Sequence, residues 1–291
     1  MTTVEIKKKI VEGIKQALPT YASASKLAVA LGTSPSQLSR VLGGDIENVL
    51  SEAAWISIAR KLNVKLTDEA EWKTAETPVF KTIYTQLGAC QKQSISAIFC
   101  DNADIGKTYT ARQYKSENKH VAYVDCSQVK TKQQLVQAIA REFGIGATGR
   151  YIDVYADVVY YLRTLPNPLI ILDEAGDLEY KAFLELKALW NATEYCCGWY
   201  MMGAECLKAK IEANKGMKRV GYAEIFSRYG NRYQSATPAG AEALKDFTLQ
   251  QVAMIAKVNC PEADVQKIYA KTGGSLRRIR TEVQKMKNNQ D

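Results

Sequence analysis

Ala97-Ile98-Phe99-Cys100-Asp101-Asn102-Ala103-Asp104-Ile105-Gly106-Lys107-Thr108 runs from an apolar segment through a short polar turn into Gly-Lys-Thr. The pattern predicts a strand, a phosphate loop and the start of a helix. In such a loop the glycine lets backbone N–H groups close around phosphates, the lysine reaches the outer phosphates, and the Ser/Thr hydroxyl ligates Mg²⁺. Gly106, Lys107 and Thr108 match these three roles. Asn102, Ala103, Asp104, Ile105 and Tyr109 complete the candidate nucleotide-binding stretch. The full pattern, G-x-x-x-x-G-K-[ST], places another glycine where this chain has Asp101.

A Gly-Lys-Thr tripeptide alone also fits an ordinary helix start with a solvated lysine. A second motif decides between the two. Pro168-Leu169-Ile170-Ile171-Leu172-Asp173-Glu174 is an apolar run bounded by proline that ends in two carboxylates, as a buried parallel strand does. In a P-loop NTPase the first acid holds Mg²⁺ with the loop hydroxyl, here Asp173 with Thr108. The next acid orients and polarises the attacking water, here Glu174. The cofactors expected are ATP and Mg²⁺.

The chain has 291 residues, 46% of them apolar and 24% charged, which is enough for two or three compact units with a real core. Lys+Arg 39 against Asp+Glu 31 gives a net charge of +8. That excess favours an anionic partner, with DNA first and a merely solvated basic surface second. No apolar run approaches the roughly 20 residues of a membrane helix, and the lysine-rich start lacks the apolar segment of a signal peptide. A cytoplasmic protein with no membrane partner is expected. The seven cysteines form no C-x₂-C pair, and His120 is the only histidine. A zinc site or a His-based triad therefore has little to work with. Cys100 and Cys126, inside apolar runs, read as reduced core thiols.

Ahead of the loop, Ile6, Ile10, Ile14 and Leu18 recur every four residues and predict a first helix ended by Pro19. A second runs from about Ser25 to Gly32. Ser34-Pro35-Ser36-Gln37 then supplies an N-cap, a proline in the first turn and the glutamine of a capping box. Leu38, Val41 and Leu42 face inward on this third helix. The stretch reads as a helix-turn-helix in which Gln37 and Arg40 are candidates to touch base edges or phosphates. A small protein-interaction domain has the same packing pattern. A further helix, 53–62, completes the unit. Beyond the loop, 120–126 reads as a strand, Leu135, Ile139 and Phe143 as a helix, 154–165 as another helix, 183–189 as another, and 197–203 as a strand. Gly144-Ile145-Gly146-Ala147-Thr148-Gly149 spells the dinucleotide fingerprint, but it follows a helix instead of a strand and is read as a loop. From Ala239 the pattern is wholly helical, with Gly273-Gly274-Ser275-Leu276-Arg277 opening the last helix.

These pieces resemble the AAA+ ATPases, and within them the MuB-like target-selecting ATPases of transposable elements, typified by the phage Mu B transposition protein. The resemblance implies an α/β fold: a P-loop AAA+ core with a parallel sheet, an N-terminal helix-turn-helix domain and a small C-terminal helical lid. The corresponding boundaries are 1–65 for the N-terminal domain, 66–78 for a linker, 79–238 for the core and 239–291 for the lid. It also implies that Arg228, in Phe226-Ser227-Arg228, is an arginine finger offered to a neighbouring subunit, with Arg232 a weaker candidate. Arg277 looks like the lid arginine that senses the γ-phosphate. The implied function is ATP-dependent DNA binding with slow ATP hydrolysis. A homo-oligomer, helical filament or ring, would assemble on largely sequence-tolerant DNA with nucleotide between subunits and would deliver target DNA to a DDE-type transposase.

The chain departs from the family pattern in two places. The polar residue expected after strand 197–203 falls at Ala204 or Glu205. Asp101 and Asp104 put carboxylates beside the phosphates. Two like charges about 6 Å apart at an effective dielectric of about 20 repel by about 2.8 kcal/mol, so one inward-facing aspartate weakens binding about a hundredfold. Aspartate also tolerates the left-handed backbone that a glycine would supply. The alternative function is a nucleotide-independent DNA-binding or adaptor protein with a vestigial P-loop. An AAA+ module of secretion or plasmid replication shares the same core motifs.

Overall fold

The computed structural model describes residues 4–64 and 72–288. Four helices open it: α1 (Val4–Ala17), α2 (Ala24–Leu31), α3 (Pro35–Leu42) and α4 (Glu52–Lys61). Ser23, Ser34 and Ser51 cap α2, α3 and α4 by accepting from the backbone N–H three residues on, and Ser34 and Gln37 form the expected capping box. The inward stripes of these helices, including Ile10, Ile14, Leu27, Leu38, Val41, Trp55 and Ile58, make a core of their own. Each such fully buried Leu or Ile contributes roughly 1.5–3 kcal/mol.

The next helix, α5 (Pro78–Gln93), was not anticipated, although its signals are ordinary: Thr77 caps it, Pro78 opens it, and Val79, Ile83, Leu87 and Cys90 form its buried stripe. It leads into an α/β core of β1 (Ser96–Cys100), α6 (Lys107–Glu117), β2 (Val121–Asp125), α7 (Lys132–Glu142), α8 (Tyr151–Thr164), β3 (Leu169–Asp173), α9 (Tyr180–Ala192), β4 (Gly198–Gly203), α10 (Glu205–Gly216), α11 (Tyr222–Arg228) and β5 (Tyr233–Gln234). The strands form one parallel sheet in the order β2-β3-β4-β1-β5. Every residue of β3 and β4 is buried, because one core cluster covers one face of the sheet and a second, built on α5 and α6, covers the other. In such sheets ligands sit outside the carboxyl ends of the strands. Here that edge carries Cys100, Asp173 and Gly203.

Three helices close the chain: α12 (Ala241–Asn259), α13 (Val265–Thr272) and α14 (Leu276–Asn288). Val252, Ala256, Ile268, Ile279 and Val283 form their shared core, and Trp72 packs against it. The expected linker is only partly within the described residues; 65–71 lie outside them. Its remainder is not a free tether, since Lys73 exchanges backbone hydrogen bonds with the Asn259 side chain and Thr74 bonds Tyr109.

The first four helices dock on the core. His120 donates its backbone N–H to Thr20, and Lys26 lies over the Tyr161 ring. Gly144 is required at this junction: its φ is +66°, and a Cβ there would stand 2.0 Å from the Lys26 carbonyl oxygen. The glycine-rich segment 144–149 is thus a loop against α2, as its position after a helix predicts. The seven cysteines are all unpaired, and burial pushes the Cys90 and Cys100 thiols up to about 12. No helix among the described residues is long and apolar enough to cross a membrane.

Candidate nucleotide-binding site

The turn after β1 closes into a loop because Asp104 and Gly106 both take left-handed backbone, φ +59° and +99°. Gly106 ends the loop and Lys107 begins α6, so the first N–H groups of that helix face the loop. Lys107 is only 6% exposed. Its ammonium donates to the carbonyl oxygens of Asp101 and Asn102. Burial pulls its pKa down, against the opposing pull of Glu174, Asp101 and Asp173.

β3 delivers Asp173 to the same edge. Thr108 Oγ1 donates to Asp173 Oδ2 at 2.7 Å, and Tyr123 on β2 donates its hydroxyl to the same oxygen at 2.7 Å. Asp173 Oδ1 accepts from the Glu174 backbone N–H at 3.0 Å, and Glu174 has φ +48°, which turns its side chain off the strand line. Burial, and then the charge of Asp173, raise the Glu174 pKa, while Lys107 opposes. Burial first, and Asp173 second, also raise the Tyr123 hydroxyl. Tyr123 escaped the sequence reading, although the alternation of 120–126 placed it on a strand.

The two loop aspartates do not point their charge at a common centre. Asp101 accepts from the backbone N–H groups of Ala236 and Thr237 at 2.7 and 2.9 Å and from the Thr237 hydroxyl. Asp104 accepts from the Ser275 hydroxyl and the Arg277 backbone N–H, with Arg277 Nε 3.6 Å away. Asp101 is thus turned onto Ala236 and Thr237, although its charge still acts on the Lys107 ammonium. β4 ends at Gly203, Ala204 is the N-cap residue and Glu205 begins α10; Glu205 and Lys208 border a cavity of about 260 Å³ beside Asp101 and Asn102.

Asn102, Asp104, Lys107, Thr108, Asp173, Glu174 and Arg277 therefore meet at one edge of the sheet. A buried ammonium on the inner face of a backbone loop, next to a hydroxyl–carboxylate pair, suits a polyphosphate with a divalent cation. Residues 102–211 match the AAA domain. Together with the parallel sheet, this makes the core an α/β P-loop ATPase fold. The sequence is 26% identical over 161 residues to the ATP-dependent target DNA activator B of Escherichia phage Mu, covering 54% of this chain and 49% of that protein. The activator B of Escherichia phage D108 matches with the same figures. The chain spans about half the length of these curated relatives. Among solved structures, Cdc6p from Pyrobaculum aerophilum matches with a TM-score of 0.46 and 15% identity, over 62% of this chain and 48% of that one.

Three predicted residues lie away from this site. Arg228 stacks on Trp190 and donates to Asn191 Oδ1 and the Glu224 carbonyl. Trp190 in turn bonds Ser96, the first residue of β1, so Arg228 sits by the start of that strand, at the end away from its own loop. The Gln37 amide accepts from the Ser34 backbone N–H and donates to the Val49 carbonyl. Arg40 is exposed, but its guanidinium is paired with Asp45 at 2.6 Å.

Proposed function

We propose that this chain is an ATP-dependent DNA-binding AAA+ ATPase that assembles on DNA and presents it to a transposase of the DDE type. One observation carries the nucleotide part: Lys107, Thr108, Asp173 and Glu174 converge on a single backbone loop, with Thr108 Oγ1 2.7 Å from Asp173 Oδ2. The likeness to phage proteins described as ATP-dependent target DNA activators supports the DNA part.

In this reading Lys107 and the amides from Asn102 to Tyr109 hold the phosphates, and Thr108 and Asp173 hold Mg²⁺. When bound, ATP would supply the phosphoryl group to be transferred, and Mg²⁺ would neutralise the charge that develops on it. Glu174 accepts a hydrogen bond from the attacking water and orients it. Tyr123 fixes the Asp173 carboxylate. Arg277 engages the γ-phosphate from the last three helices, which act as a lid. Arg228, at the end of the strand away from its own loop, serves the loop of a neighbouring subunit in a filament or ring. α2 and α3 form a helix-turn-helix in which Gln37 and Arg40 are the candidates to touch DNA, Arg40 on giving up Asp45. Asp101, turned into the fold, weighs against a vestigial loop.

The test is a fluorescent ATP analogue titrated into wild type and Lys107→Ala, followed by electron microscopy with DNA, with and without a nonhydrolysable analogue. Wild type should bind nucleotide and form nucleotide-dependent assemblies on DNA, and Lys107→Ala should do neither. Equal nucleotide affinities would remove the ATPase reading. Tight nucleotide binding without assembly on DNA would keep the ATPase and remove the DNA role.

A further inference from the structure

The phosphate loop carries two aspartates that phosphate binding does not require, and both are joined to the C-terminal part of the chain. Their contacts differ in kind. Asp101 is 4% exposed and takes three donors from Ala236 and Thr237, so it anchors the segment that leads into α12. Asp104 stands at the rim. It accepts from the Ser275 hydroxyl and the Arg277 N–H, and its ion pair with Arg277, at 3.6 Å, joins side chains 27% and 88% exposed. An exposed ion pair is weak and readily exchanged.

We propose that Asp104 is a releasable clasp: it holds Arg277 and the first turn of α14 on the phosphate loop, and the phosphates of a nucleoside triphosphate compete with it for Arg277. The proposal rests on the nucleotide reading above. The amides of the two residues after Arg277 are held by Ser275, whereas the Arg277 N–H, in the first turn of α14, and the Arg277 guanidinium both attract anions. The Asp104 carboxylate satisfies both at once, and a phosphate offers them the same chemistry. The two anions share one loop and repel each other. Binding therefore transfers Arg277 from carboxylate to phosphate and leaves Asp104 uncompensated, which couples the position of α14 to nucleotide and lowers affinity. A glycine at this position would adopt φ +59° freely and form no clasp. Asparagine tolerates the same backbone and keeps one acceptor oxygen, so Asp104→Asn removes the charge and exchanges the second acceptor for a donor, which the Ser275 hydroxyl can accept from. Asp104 is thus a positioning residue that acts through Arg277.

The experiment is hydrogen exchange on the full chain without nucleotide, comparing wild type, Asp104→Gly, Asp104→Asn, Arg277→Ala and the Asp104→Gly/Arg277→Ala double variant. The same proteins are titrated with a fluorescent ATP analogue. Amides at the start of α14 should exchange roughly tenfold faster in Asp104→Gly, and the double variant should lose no more protection than Asp104→Gly alone. Asp104→Asn should bind the analogue about tenfold tighter than wild type, a screened version of the full repulsion between adjacent charges. Unchanged exchange in Asp104→Gly, or weaker analogue binding in Asp104→Asn, would overturn the clasp. If wild type binds no analogue, the nucleotide reading and the competition fall together, while the exchange data still decide whether Asp104 holds α14.

Discussion

Asp101→Gly restores the glycine that the phosphate-loop pattern calls for, and the structure predicts that it loosens the protein. Asp101 is 4% exposed, and its carboxylate is the acceptor for three backbone N–H groups, Asn102 at 2.7 Å, Ala236 at 2.7 Å and Thr237 at 2.9 Å, besides the Thr237 hydroxyl. A buried donor left without an acceptor costs about 1–3 kcal/mol, and glycine adds about 0.5–1 kcal/mol of backbone entropy. The cavity of about 260 Å³ bordered by Asp101 and Thr237 admits water, which recovers part of the loss. The net expectation is about 2–3 kcal/mol against local opening. At 1.36 kcal/mol per decade this is a roughly 30- to 160-fold loss of amide protection. Exchange measured on peptides spanning 233–240 reads it, with the amides of α6 as an internal control. Asp101→Asn keeps one acceptor oxygen and should lose less than about tenfold. Unchanged protection in the glycine variant, or equal losses in both variants, would refute the assignment of Asp101 as the tie between loop and hinge.

Glu174→Gln should leave nucleotide affinity intact and slow hydrolysis by at least about a hundredfold, because the amide still fills the site but cannot accept a proton. Turnover at saturating ATP tests this, and an unchanged rate would remove Glu174 from the chemistry. Arg228→Ala should bind nucleotide normally yet fail to hydrolyse it at the wild-type rate, since Arg228 lies at the opposite edge of the sheet from its own loop. Mixing Arg228→Ala with Lys107→Ala subunits should return part of the ATPase activity through interfaces with one intact loop and one intact arginine. No recovery at any ratio, with mixed assembly confirmed by light scattering, would confine Arg228 to its own fold, on Trp190 and Asn191.

The parts of the molecule legible in the sequence are those whose signals are local. The apolar run of β1 meets its turn within a few residues, β3 ends in its two acids, and the Ser34–Gln37 box is complete in four positions. β5 is two residues long and exists only through its pairing with Ile98 and Phe99, so no window of sequence announces it. α5 is a different case, since its cap and stripe were there to be found. Gln37 shows a local role that the sequence pattern also marks: the amide of the capping box accepts from the Ser34 backbone N–H and donates to the Val49 carbonyl, twelve residues on.

The loop aspartates make the strongest case for what a motif omits. A phosphate-loop pattern specifies backbone shape; its missing glycine falls at Asp101, which is not among the residues with left-handed backbone, while Asp104, at a position the pattern leaves open, is, at φ +59°. Judged by shape, the substitution is nearly silent; judged by charge, it looks destructive to phosphate binding. Neither judgement includes the partner, because Ala236 lies 135 residues from Asp101, and Ser275 lies 171 residues from Asp104. Once those partners are in place, both carboxylates are seen to hold the segments that carry the C-terminal helices, without their charge leaving the loop. The departure from the pattern is then the attachment point of the chain's last helices to its phosphate loop, and a loop rebuilt with glycines would bind phosphate with less to connect it to.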